Sequence, residues 1–111
     1  MPTSDAIVVL TTLASESEAA ALVKTLVERR LVACGTILPG ARSIYRWEGS
    51  IADEQEVIAI LKTRASGFPA LEDAFAELHP YKVPELVALP ISAGLPRYLE
   101  WIAAETAAAP L

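Results

Sequence analysis

Five consecutive apolar residues, Val57-Ile58-Ala59-Ile60-Leu61, constrain the fold of this chain more than any other feature. Side chains along a strand alternate between faces, so a strand with this run at its centre needs cover on both sides of its sheet. The run lies in a predicted strand from about Glu54 to Thr63. Its hairpin partner precedes it. Leu31 to Leu38 reads as extended, Pro39-Gly40 bends or bulges the strand, and pairing resumes over Ser43-Ile44-Tyr45-Arg46-Trp47 before a turn at Glu48-Gly49-Ser50.

Helices and strands alternate through the rest of the chain. Ile7 to Thr12 is short and β-branched and predicts a first strand, after which Ser15-Glu16-Ser17-Glu18 matches a capping box that opens a helix. Ala19, Leu22, Val23, Leu26 and Val27 recur at helical spacing, and Arg29 and Arg30 fall in the last turn, where they complement the helix dipole. A second helix opens at Ser66-Gly67, carries Phe68, Leu71, Phe75 and Leu78 on one stripe, and stops at Pro80. Leu86 to Ile91 predicts a fourth strand. Gly94-Leu95-Pro96 then leads into a last helix bearing Leu95, Tyr98, Leu99, Trp101 and Ile102, before an Ala-rich tail that frays near Pro110. The order βαββαβ plus a C-terminal helix is the ferredoxin-like α+β plan, an antiparallel sheet in the order 4-1-3-2 with its two main helices on one face.

That plan leaves apolar sheet in water. Strands three and four are apolar on both faces while the helices cover one, and strand two lies at an open edge, so association of this chain with itself in a closed ring answers both demands. A hydrophobic share of 53% in 111 residues points the same way, and the length fits one domain, residues 1–111. A formal charge of −5 with no stripe of Lys and Arg speaks against a nucleic-acid partner. A single cysteine excludes an internal disulfide and suits a reducing compartment. Met1-Pro2-Thr3-Ser4-Asp5 lacks the marks of a secretion signal, and no apolar run reaches the ~18 residues needed to span a membrane. A cytoplasmic protein without membrane association is therefore expected.

The chemistry concentrates in His79-Pro80-Tyr81-Lys82-Val83-Pro84-Glu85, which holds the only histidine. Each proline restricts the residue before it, so an imidazole, a phenol, an ammonium and a carboxylate share one stiffened connector. The segment reads either as a helix stop followed by a turn or as a recognition or proton-transfer site.

Five strings follow one another from Ala33 to Trp101: Ala33-Cys34 with Leu38-Pro39-Gly40; Ser43-Ile44-Tyr45-Arg46-Trp47-Glu48-Gly49; Glu56 with Leu61-Lys62-Thr63; His79 to Glu85; and Tyr98-Leu99-Glu100-Trp101. Together they resemble the CutA divalent-cation tolerance family. The resemblance implies a ferredoxin-like subunit in a tight homotrimer, related in architecture to the PII signalling proteins, with a role in the response to metal ions. Copper binding is attributed to some members. The ligands of those members, a cysteine closing the first strand and a histidine pair closing the second helix, map to Thr11, Leu78 and His79, so only His79 is kept. Without a soft thiolate, a lone imidazole does not select copper, and the metal contact expected here is a weak one through His79 and Glu85.

The other candidates carry two readings each. Cys34 starts strand two at the rim opposite His79, so it meets His79 only across subunits or serves as a small buried hydrophobe, and no Cys-His dyad forms within the chain. Tyr45 and Trp47 line a cleft between subunits or anchor an interface. Glu56 and Lys62 face an intersubunit pocket or pair with neighbouring charges, and Tyr81 and Lys82 join the same cleft. Thr11, Thr12 and Ser15 precede a helix N-terminus that could hold an anion, or Ser15 simply caps it. No catalytic group, nucleophile or cofactor motif emerges, so no enzyme and no cofactor beyond a divalent metal such as copper is expected. The alternative is a PII-like regulator that binds a small anionic effector through Lys62, Lys82 and backbone donors.

Overall fold

The computed structural model describes residues 4–107. Along the chain lie β1 (Ala6–Leu13), α1 (Glu16–Glu28), β2 (Cys34–Trp47), β3 (Ser50–Arg64), α2 (Phe68–Leu78), β4 (Val87–Pro90) and α3 (Pro96–Glu105), with one 3₁₀ turn, Ala65–Gly67, leading into α2. The strands form a single sheet in the order β2-β3-β1-β4, antiparallel throughout, which is the expected ferredoxin-like arrangement. The tail near Pro110 lies outside the described residues.

Ser15 caps α1 as its sequence suggests: its Oγ accepts the Glu18 N–H at 3.2 Å. The other end differs from expectation. Arg29 and Arg30 are not in the last turn, because α1 stops at Glu28 and Arg30 takes a left-handed conformation with φ of 60°. Leu31 N–H bonds Leu26 O at 2.9 Å and Arg30 N–H bonds Val27 O at 3.0 Å, the paired bonds of a Schellman stop. Leu31 is therefore committed to the cap, and β2 starts at Cys34 rather than Leu31.

The hairpin is longer than its sequence suggests. β3 begins at Ser50 instead of about Glu54, since Glu48 and Gly49 both adopt positive φ, 49° and 82°, and form a two-residue turn whose twist suits the strands. Pairing runs from Trp47↔Ser50 to Cys34↔Lys62, with a register shift between Leu38 and Ala41 at Pro39-Gly40. β1 pairs with β3 only as far as Leu13↔Val57, so the hairpin beyond Glu56 projects past the sheet.

One sheet face meets α1 and α2. Val9, Leu13, Ala59 and Leu61 pack there against Leu22, Leu26, Leu71 and Phe75 in the main core. The opposite face is only partly covered. Ile102 of α3 packs with Ala6 and Ala33 at one end, Ile58 and Ile60 are half-buried, and Val87 and Leu89 remain 48% and 52% exposed. The cover that Val57–Leu61 calls for on both sides is complete on one side within a single chain.

Candidate functional site

His79 is the C-cap residue of α2 and is buried. The helix stop thus aims its ring at the end of β1. His79 Nδ1 accepts the Tyr81 N–H at 3.1 Å, so the neutral ring carries its hydrogen on Nε2, which donates to Thr12 O at 3.0 Å and to Thr11 Oγ1 at 3.2 Å. Phe75 and Tyr81 flank the imidazole at 5.4 and 4.9 Å between ring centroids. Burial pushes its pKa below the ordinary 6.5, outweighing the Thr12 carbonyl and the carboxylates of Glu18 and Glu56.

Thr11 and His79, two of the positions that map to metal ligands, are thus in contact. The contacts they make here are structural. Both ring nitrogens are engaged, a hydroxyl stands where a thiolate would, and among the described residues no group of three or more His, Cys, Asp or Glu side chains is disposed to hold a metal ion.

The two prolines swing the chain after His79 across the base of the hairpin. Tyr81 Oη donates to Glu56 Oε2 at 2.6 Å, joining the post-helix turn to β3. Beside this bond lies a cleft of about 530 Å³, where Tyr45, Trp47, Glu56, Tyr81, Lys82 and Glu85 meet. Two further carboxylates reach it that the sequence reading did not single out, Glu48 and Glu54. Glu54 accepts from Tyr45 Oη at 3.4 Å. Strand alternation was the signal for Glu54, which stands two residues from Glu56. Burial, followed by the bond to Glu56, pushes the Tyr81 phenol far above its ordinary 10.0, and burial with the charges of Glu54 and Glu56 raises Tyr45.

Cys34 and Lys62 lie elsewhere. They are cross-strand partners level with Val8 on β1, whereas His79 sits at Thr11 and Thr12 near the other end of that strand. Cys34 Sγ is 3.8 Å from Tyr98 Oη, and Lys62 Nζ stands 5.7 Å above the Tyr98 ring, which stacks on Trp101. Within a single chain, Cys34 and Lys62 thus lie apart from the other residues expected at the cleft between subunits. β1 and β2 both run antiparallel to β3, which puts the start of β2 and the end of β1 at opposite rims. Among the described residues, no helix is long and apolar enough to cross a membrane.

This geometry has close counterparts. The sequence profile of the family described as CutA1 divalent ion tolerance protein matches residues 7–105. The divalent-cation tolerance protein CutA of Thermus thermophilus is 48% identical over 99 residues, covering 89% of this chain and 96% of that protein. The solved Cut A1 structure from the same organism superposes with a TM-score of 0.88 over 92% of this chain and 99% of its own. The CutA crystal structure from Xylella fastidiosa, 41% identical, gives 0.89 over 94% of this chain and all of its own. One from Archaeoglobus fulgidus, 34% identical, gives 0.88 over 92% and 99% and is described as a periplasmic divalent cation tolerance protein. With a profile spanning nearly the whole chain and relatives this similar in sequence and structure, the chain belongs to the CutA1 divalent ion tolerance protein family.

Proposed function

We propose that this protein serves divalent-cation tolerance as a non-enzymatic homotrimer in the cytoplasm, part of the cell's response to metal ions. The observation that carries the reading is the uncovered sheet face. Val87 and Leu89 are half-exposed beside the half-buried Ile58 and Ile60, and β2 offers an unpaired edge next to them. Apolar surface of this kind favours association with further copies, and the threefold count follows the family resemblance. Light scattering at micromolar concentration is expected to return about three times the 11.8 kDa chain mass. A monomeric mass would overturn the assembly, and cell fractionation checks the compartment.

Direct metal contact, in this reading, is weak and made by His79 with Glu85. The imidazole coordinates only after releasing Thr12 O or Tyr81 N–H, which lowers its affinity. Calorimetric titration with Cu(II), Zn(II) and Ni(II), on the native protein and on His79→Ala, measures this. Flat traces from both would remove metal binding and leave the assembly standing. An anionic effector held by Lys62 and Lys82 has less support, since the two lysines sit in separate places within a chain and Lys82 shares its cleft with Glu48, Glu54, Glu56 and Glu85.

A further inference from the structure

We draw no further inference here: the strongest candidate, the basic pocket where the end of α1 and the start of α2 meet the end of α3, carries nothing, because its three guanidiniums are already engaged within the chain, Arg29 by Glu77, Arg30 by Glu105 and Arg64 by Thr106, and nothing in the structure shows an anion for them to take.

Discussion

Thr11 Oγ1 and His79 Nε2 lie 3.2 Å apart and fasten the end of the first strand to the end of α2. The same ring hydrogen serves Thr12 O, and the second ring nitrogen holds the Tyr81 N–H, so the imidazole rivets three segments together. At the position where the family resemblance implies a ligand, the imidazole of this chain also makes structural contacts.

That role has a pH signature. His79 titrates below 6.5 in the folded protein because burial disfavours the imidazolium, so the unfolded chain takes up the proton first as pH falls. The charged groups that oppose this, Glu18 on α1 and Glu56 on β3, do not reverse the shift. Stability from His79 is thus fully present above pH 6.5 and is lost progressively below it, down to the folded pKa. Urea midpoints measured between about pH 7.5 and 5 are expected to fall more steeply for the native protein than for His79→Gln. Equal slopes would show that the imidazole does not titrate as a buried group.

Tyr81→Phe removes a 2.6 Å bond and leaves the carboxylate of Glu56, itself only 6% exposed, without its donor. The expected cost is about 1.5–3 kcal/mol, read from chemical denaturation, because the lost partner served a charged acceptor. Alkaline titration gives a second readout. Tyr81 and Tyr45 are both raised above 10.0, so their absorbance changes come late, and the latest disappears in Tyr81→Phe. With its folded pKa raised, Tyr81 contributes stability that is complete below about pH 10 and declines as pH climbs toward the folded value. If all three tyrosines ionised together near pH 10, the buried bond would be refuted.

Much of this architecture is legible in the residues alone. The apolar run at Val57–Leu61, the cap at Ser15 and the stop at Pro80 are local signals, and each element they define is present. The opposite rims of Cys34 and His79 follow from strand direction. Lys62 was harder to place, because its proximity to Tyr98 depends on where α3 lands across the sheet. Glu48 and Glu54 look like solvated charges on a hairpin until Tyr81 folds back against Glu56 and turns that hairpin into a wall. The two-residue form of the expected Glu48-Gly49-Ser50 turn, which lets β3 start at Ser50, and the stop at Arg30 were missed for a different reason. Both place a charged residue in left-handed backbone, where sequence statistics expect glycine.

Arg30 illustrates what such a residue costs. A side chain at φ of 60° is less stable than glycine in the same conformation, by about 1–2 kcal/mol before the extra freedom of an unfolded glycine is subtracted. Its ion pair with Glu105 is long, 3.9 Å, and both side chains are nearly half exposed, so little is lost with it. Arg30→Gly is expected to stabilise the fold by about 0.5–1 kcal/mol, seen as a higher urea midpoint. A lower midpoint would mean that the Arg30 side chain matters more than its backbone.

Gly35 presents the opposite case, in which space rather than backbone angle requires glycine. A Cβ at Gly35 would stand 2.6 Å from Val23 Cγ1 and 2.8 Å from Leu61 Cδ2, far inside contact distance. Neither neighbour gives way easily. Val23 is β-branched within α1 and holds one χ1 rotamer, and Leu61 is fully buried in β3. Gly35→Ala must therefore push α1 away from the sheet, at about 1–3 kcal/mol by analogy with overpacked cores. At Gly67 the nearest atom to a built Cβ is Thr63 Oγ1 at 3.9 Å, an ordinary contact, so Gly67→Ala serves as the control and changes stability by no more than about 0.5 kcal/mol. Adding Val23→Ala to Gly35→Ala opens room for the new methyl, and the double variant is expected to lose less than the sum of the two single losses. Strict additivity would mean that the close approach of α1 to β2 is not what excludes a side chain at Gly35.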